Sequence, residues 1–126
     1  MSDKNVLIIT DGTESINLTA QTIKKLTKNE VKIISASDFT GTEILPVQVF
    51  FLGCENPNPQ SFSYLADMLL HINLAGRKCG IFSVNSESLK YLENILKDCE
   101  AGLAEPLLVK DIDDSNLQKW LKGIIN

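Results

Sequence analysis

The amino-acid sequence predicts an α/β domain over residues 1–126, built on a doubly wound parallel sheet of five strands in the order 2-1-3-4-5, with helices on both faces. Short β-rich runs alternate with stretches of helical periodicity, which is typical of a parallel α/β sheet. The first run, Val6–Ile9, is apolar without alternation, as expected for a strand that helices cover on both faces. The 126 residues are 44% hydrophobic and 22% charged, which suits one globular domain that needs no disulfide or metal to hold its core.

Local patterns predict the individual elements. Runs rich in apolar and β-branched residues predict the strands Asn5–Thr10, Glu30–Ser35, Val47–Gly53, Cys79–Val84 and Pro106–Val109. Apolar residues at helical spacing predict helices after the first, third, fourth and fifth strands. The second of these begins near Ser61 and ends by Gly76, and the last begins with a capping box at Ser115–Gln118. The short connection Ala36–Pro46 predicts a short or single-turn helix, and Arg77-Lys78 is expected to be a solvent-exposed pair.

Composition and charge exclude several functions. Sixteen acidic and twelve basic residues give a net charge of −4, so we expect no binding to nucleic acid, which depends on Lys and Arg. The single histidine, His71, excludes a histidine-rich metal site. Cys54, Cys79 and Cys99 form no C-x-x-C pair and suit a reducing compartment, so we expect a cytoplasmic protein. The apolar run Val6–Ile9 is too short for a signal peptide or a membrane span, and we expect no membrane contact.

The predicted topology also predicts where a ligand would bind. With right-handed crossovers, the crevice of such a sheet lies at the carboxyl ends of strands one and three, where the strand order reverses. The loops that follow strands one, three and four would therefore form any site. These loops are Asp11–Ile16, Cys54–Gln60 and Asn85–Ser88.

Several stretches of the sequence resemble the flavodoxin family. The first strand leads into a hydroxyl-rich turn and a helix containing Thr19–Ile23, similar to the start of a flavodoxin. Phe50–Cys54, at the end of the third strand, is similar to the end of the family's apolar third strand. Leu74–Phe82 is similar to the stretch that leads into the family's fourth strand. Trp120 in the last helix fits a common family position. The order and spacing of these matches extend over the whole chain.

The resemblance implies an FMN-dependent one-electron carrier that works with a redox partner. In the family, the turn Ser/Thr-x-Thr-Gly-x-Thr cradles the FMN phosphate at a helix N-terminus, and the loops after the third and fourth strands hold the flavin ring. Carried over to this chain, the cofactor-binding residues are Asp11, Gly12, Thr13, Glu14, Ser15, Ile16, Cys54, Glu55, Asn56, Pro57, Asn85 and Ser86. Thr13 and Ser15 would hold the phosphate, and backbone groups at Asn56 and Asn85 would contact the ring.

The turn departs from the family pattern where the phosphate would bind. Aligned on the helix, Asp11 replaces the first hydroxyl, Glu14 replaces the glycine and Ile16 replaces the last threonine. Thr13 is the only hydroxyl of the family motif that this alignment keeps. An alignment shifted by one residue matches Thr10 and the pair Gly12-Thr13 to the motif, but the helix that follows then no longer matches. Two like charges about 6 Å apart repel by roughly 3 kcal/mol at an effective dielectric constant near 20. No Lys or Arg occurs in residues 5–23 or 33–76 to offset such repulsion.

The ring loops lack the aromatic side chains that stack on the flavin in the family. Neither Glu55–Gln60 nor Ser83–Glu87 contains an aromatic residue, and each stacked pair is worth about 0.5–1.5 kcal/mol. The sequence therefore predicts a diverged flavodoxin-like protein without tightly bound FMN, retained as an interaction or regulatory module for an unidentified protein partner. The alternative is a working FMN-dependent carrier. Neither reading includes catalytic or metal-binding residues.

Two enzymatic interpretations have less support. Asp11 and Lys110 could form a receiver-type phosphoacceptor pocket, but that pocket needs an acidic residue at the end of strand three, where Gly53 and Cys54 occur. Cys54 could be a nucleophile, but Glu55 follows it directly, whereas a low thiol pKa requires a positive neighbour. We expect Cys54 to be a half-buried thiol.

Overall fold

The computed structural model describes residues 5–27, 30–109 and 113–125. Within these residues, six strands form one parallel sheet: β1 (Val6–Thr10), β2 (Val31–Ser35), β3 (Val49–Gly53), β4 (Lys78–Ser83), β5 (Gly102–Leu103) and β6 (Leu107–Leu108). The order is β2-β1-β3-β4-β5, and β6 also pairs with β4, which confirms the predicted fold class and strand order. Thr10 lies opposite Ser35 and Gly53, and Gly53 lies opposite Phe82. The carboxyl ends of the four long strands are therefore level, and we call this side of the sheet the carboxyl edge.

The described ranges contain four α-helices and three 3-10 turns. The helices are α1 (Glu14–Leu26), α2 (Ser63–Leu69), α3 (Ser86–Leu96) and α4 (Asp114–Ile125). The 3-10 turns are Ala36–Asp38, Thr42–Ile44 and Gln60–Phe62. The first two turns form the connection between β2 and β3, where a short or single-turn helix was expected.

The connections around β4 differ from the sequence-based expectation. The helix predicted from Ser61 to Gly76 is a 3-10 turn followed by the seven-residue α2. It stops early, and further along the Asn73 side chain accepts a 2.9 Å hydrogen bond from the Ala75 amide, which favours a turn over a continued helix. The predicted fifth strand, Pro106–Val109, is the two-residue β6, and a further short strand that was not predicted, β5, precedes it. Pro106 lies between the two and has no amide hydrogen for a strand ladder.

Two side chains have roles that the sequence pattern did not predict. Oδ1 of Asp113 accepts a 2.8 Å hydrogen bond from the Asn116 amide, so α4 begins at Asp114 and the predicted cap at Ser115 is wrong. Arg77 is half-buried and is not a purely solvated residue. Its guanidinium donates two hydrogen bonds to backbone carbonyls in the connection between β2 and β3.

The helices bury both faces of the sheet. Leu121 of α4 packs in one cluster with Phe51 of β3, and Leu65 and Leu92 of α2 and α3 pack in the opposite cluster with Phe50. Every residue of β1 is buried, which confirms that this strand is covered on both sides, and every residue of β3 is buried as well. Full burial of one such side chain stabilises by roughly 1.5–3 kcal/mol, so the core fixes the strand ends from which the carboxyl-edge loops begin. Among the described residues, no helix has the length and hydrophobicity needed to cross a membrane.

Candidate functional site at the carboxyl edge

The loop after β1 is organised around the Asp11 carboxylate. Oδ1 of Asp11 accepts hydrogen bonds from the Thr13 amide at 3.1 Å and from the Thr13 hydroxyl at 2.6 Å. Gly12 has a φ of 85°, in the left-handed region that favours glycine, and its amide donates to Oγ1 of Thr10 at 3.3 Å. Thr13 is the N-cap residue of α1, but its hydroxyl does not cap the helix. The two donors of Thr13 are thus both directed to a carboxylate of the same chain.

Glu55 connects three loops of the carboxyl edge. Its amide donates to Oδ2 of Asp11 at 2.7 Å, and its Oε1 accepts the Ser15 hydroxyl at 2.6 Å. Its carbonyl oxygen accepts from Nδ2 of Asn85 at 2.6 Å and from the Ser88 hydroxyl at 2.9 Å. The loops after β1, β3 and β4 therefore meet at this one residue. It lies at the carboxyl edge, where the predicted strand order places the crevice.

The other residues of the sequence-predicted site are either exposed or buried in the core. Glu14 is exposed at the start of α1, and Asn56, Pro57 and Ser86 are also exposed. Ile16 is fully buried in the core, so its side chain cannot contact a ligand in the loop.

Cys54 lies at the end of β3 beneath the loops, and it is not a reactive thiol. Its side chain is fully buried rather than half-buried. Burial, together with the nearby Asp11 charge, raises the pKa of the Cys54 thiol to about 12, although a hydrogen bond with Ser88 acts in the opposite direction. A buried thiol with a raised pKa is protonated at neutral pH, which argues against a nucleophilic role. Lys110, the other residue of the enzymatic interpretations, lies outside the described residues.

Four polar residues of this edge were not among the predicted cofactor-binding residues, although Ser88 lies in a predicted site loop: Thr10, Asn17, Ser83 and Ser88. The Thr10 hydroxyl donates to Oδ1 of Asn17 at 2.7 Å, and the Ser83 hydroxyl donates to the Cys54 carbonyl at 2.6 Å. Ser88 contacts Glu55 as described above. Thr10 and Ser83 are each the last residue of an apolar strand, and a hydroxyl at that position is the signal that could have identified them.

The aromatic residues nearest to the loops are used in packing. Tyr91 packs against Phe62 with ring centroids 6.4 Å apart. Tyr64 packs against Phe39 at 6.3 Å, and its hydroxyl donates to the Thr40 carbonyl at 2.9 Å. Tyr64 also lines an open groove of about 590 Å³, together with Ala36, Ser37, Phe39, Thr40, Gln60, Ser61 and Ser63.

Comparison with solved structures decides the fold. A short-chain flavodoxin associated with a non-canonical PDU bacterial microcompartment matches with a TM-score of 0.79 and 15% identity, over 99% of this chain and 97% of that chain. The chain has a flavodoxin-like fold. Oxidised flavodoxin 2 from Bacillus cereus matches with a TM-score of 0.75 and 20% identity, over 94% of this chain and 98% of the other. The Fusobacterium nucleatum flavodoxin bound to flavin mononucleotide matches with a TM-score of 0.69 and 12% identity, over 95% and 96%. No family model and no curated protein matches the sequence.

The carboxyl edge of this flavodoxin-like chain does not fit a flavin phosphate. The hydroxyls of Thr13 and Ser15, which the family resemblance assigns to the phosphate, are donated to Asp11 and Glu55. Glu14 adds a further negative charge in the first turn of α1. No Lys or Arg occurs in the loops 11–16, 54–60 and 84–88. Their acidic side chains would therefore repel an anion, and no basic side chain of these loops would offset the repulsion.

Proposed function

We propose that this protein is an interaction or regulatory module with a flavodoxin-like fold that works without tightly bound FMN. The observation that carries the proposal is the use of Thr13 and Ser15 as donors to the chain's own carboxylates, Asp11 and Glu55. A bound phosphate would have to break these bonds and lie beside the same two negative charges. Since every 1.4 kcal/mol corresponds to about a tenfold change in affinity, a few unfavourable charge contacts remove micromolar binding.

The charge distribution supports a basic partner protein for this module. Asp11, Glu14, Asp38, Glu55 and Glu87 lie in the loops and first helical turns at the carboxyl edge. Basic residues concentrate at the opposite ends of the elements, in the last turn of α1 and at the start of β4. A surface of one charge sign accelerates association with a surface of the opposite sign and suppresses binding to others.

The three cysteines are free thiols and suit a reducing compartment such as the cytoplasm.

The second candidate is an FMN-dependent one-electron carrier with its own redox partner. The Fusobacterium nucleatum structure, which contains flavin mononucleotide, is the observation that favours it. The flavin would supply the redox chemistry, and this chain would only bind and orient it. Thr13 and Ser15 would have to turn away from Asp11 and Glu55 to hold the phosphate, and backbone groups at Asn56 and Asn85 would face the ring.

Purified protein tests the two candidates directly. We expect a colourless preparation that leaves the fluorescence of added FMN unquenched at micromolar protein. A yellow preparation, or quenching with micromolar or tighter affinity, would overturn the proposed function in favour of the carrier.

The acidic surface is tested separately with an oligolysine peptide as a probe. We expect the wild-type protein to bind the peptide with an affinity that falls as salt is added. The double variant Glu14→Gln/Glu87→Gln should bind the peptide more weakly than the wild type at the same salt concentration. The matched control is Glu93→Gln/Asp98→Asn, which removes the same charge from exposed positions along α3 and beyond its end. Equal loss in both double variants would contradict a partner surface at the carboxyl edge.

A further inference from the structure

We propose that Asp11 and Glu55 are specificity-determining residues that make the carboxyl edge reject phosphorylated ligands, because their carboxylates occupy the donors an anion would need. The inference rests on the proposed function, in which this edge does not hold FMN tightly. It separates two possible causes, occupied hydrogen-bond donors and negative potential, and attributes the rejection to the occupied donors.

Asp11 uses both of its oxygens in this role. Oδ1 accepts two hydrogen bonds from Thr13, and Oδ2 accepts the Glu55 amide. Together these are two amides and one hydroxyl that converge on a single anionic group between two loops. Converging amides and hydroxyls beside a helix N-terminus are the donor set with which proteins bind phosphate oxygens. Here a carboxylate of the chain takes the place of the external anion.

Glu55 completes the arrangement on the side of α1. Its carboxylate accepts the hydroxyl of Ser15 at 2.6 Å, in the first turn of the helix, where a negative charge is stabilised by the helix dipole. The backbone of Glu55 is bonded on both sides, through its amide to Asp11 and through its carbonyl to Asn85 and Ser88. These bonds hold the residue in place, so that its side chain stays over Ser15.

Glu14 separates the two possible causes of rejection. It lies beside the same loop, at the start of α1, and carries the same charge, but it is exposed and its side chain makes no hydrogen bond among the described residues. Removing Glu14 therefore lowers the negative potential without releasing a donor. Removing Asp11 or Glu55 does both.

The experiment uses two flavins that differ only in the phosphate, FMN and riboflavin, together with inorganic phosphate. The variant is Asp11→Ser/Glu55→Ala, and the matched control is Glu14→Ala/Glu87→Ala, which removes two exposed carboxylates and no donor contact. Fluorescence titration gives the ratio of FMN to riboflavin affinity. Amide NMR shifts of Gly12, Thr13 and Ser15 report the binding of inorganic phosphate without any flavin.

We expect no response of the wild-type amides to millimolar phosphate, and saturable shifts in Asp11→Ser/Glu55→Ala. The ratio of FMN to riboflavin affinity should rise by at least about tenfold in that variant and by less than about twofold in the control. An equal gain in the control would attribute rejection to charge alone and overturn the inference. No gain in the variant, or a wild-type preference for FMN over riboflavin of about tenfold or more, would also overturn it.

Two further results keep the inference apart from folding and from the proposed function. If the double variant does not fold, the single variant Asp11→Asn, which keeps the shape of the side chain, takes its place. We expect the ratio of FMN to riboflavin affinity to rise in Asp11→Asn by less than in the double variant. An unchanged ratio would contradict the inference. Wild-type protein that binds both flavins equally at micromolar concentration would overturn the proposed function and leave the inference standing. Wild-type protein that binds neither, with a variant that gains nothing, would overturn only the inference.

Discussion

The backbone amide of Glu55 donates a 2.7 Å hydrogen bond to Oδ2 of Asp11, and this bond joins two loops that are 44 residues apart in the chain. The same carboxylate also closes the turn at Thr13. Asp11 therefore holds together the β1 and β3 sides of the carboxyl edge. Asp11 is therefore part of the structural support of this edge.

Replacement of Asp11 by alanine should reduce the free energy of unfolding by about 2–3 kcal/mol. Loss of a charged acceptor costs the hydrogen bonds that it makes and leaves their donors without a partner. Urea denaturation measures the change. The control is Glu14→Ala in the same loop, which is exposed and should change stability by less than about 0.5 kcal/mol. Equal effects of the two substitutions would show that the bonds of Asp11 contribute nothing.

Gly53 ends β3 at the carboxyl edge, where a side chain has no room. A Cβ atom at this position would lie 2.4 Å from the Phe82 ring, and Phe82 is itself fully buried. Gly53→Ala should therefore cost about 3 kcal/mol of stability, since an overpacked core must shift. Gly123→Ala is the matched control, because a Cβ there meets nothing within 4 Å. In the exposed part of α4 the added methyl should stabilise by about 0.5–1 kcal/mol. Thermal unfolding measures both, and a neutral Gly53→Ala would contradict this packing.

Cys54 should be unreactive in the folded protein. With its pKa raised to about 12 by burial and by Asp11, only about one thiol in ten thousand is ionised at pH 8, whereas about a quarter of unfolded thiols are ionised. Iodoacetamide should therefore modify Cys54 at least about a hundredfold faster in urea than in buffer, as followed by peptide mass spectrometry. Because the pKa is raised, the native rate should keep increasing with pH above 9. Rapid modification of native Cys54, with Cys79 unmodified, would instead support the nucleophile.

The sequence predicted the sheet because buried parallel strands have a distinct pattern. β1 and β3 are short, apolar and without alternation, and both are buried throughout. The strand order followed from right-handed crossovers. The extra strand β5 was not predicted, because two residues are too few to give a strand pattern in the sequence.

The positions of the site residues were predictable, but their contacts were not. Asp11 and Glu14 are both acidic residues of one loop, and the sequence gives them equal weight as phosphate-repelling charges. In the structure the Asp11 carboxylate accepts three hydrogen bonds, and no hydrogen bond to the Glu14 carboxylate is found among the described residues. Two of the three come from Thr13 in the same turn, but the third comes from Glu55, 44 residues away. A contact over that separation has no local sequence pattern.

Arg77 offers the last test, because it connects the start of β4 to the chain between β2 and β3. Its Nη1 and Nη2 donate to the carbonyls of Ile44 at 3.0 Å and Leu45 at 3.1 Å. Arg77→Lys keeps the charge but loses the fixed fork that reaches both carbonyls, so we expect a loss of about 1 kcal/mol in stability. Hydrogen exchange should also become faster at the amides of Leu45 and Val47, which close the adjacent turn. The neighbouring Lys78 is exposed, and Lys78→Ala should change neither measurement. Unchanged exchange in Arg77→Lys would mean that the two bonds do not hold this connection.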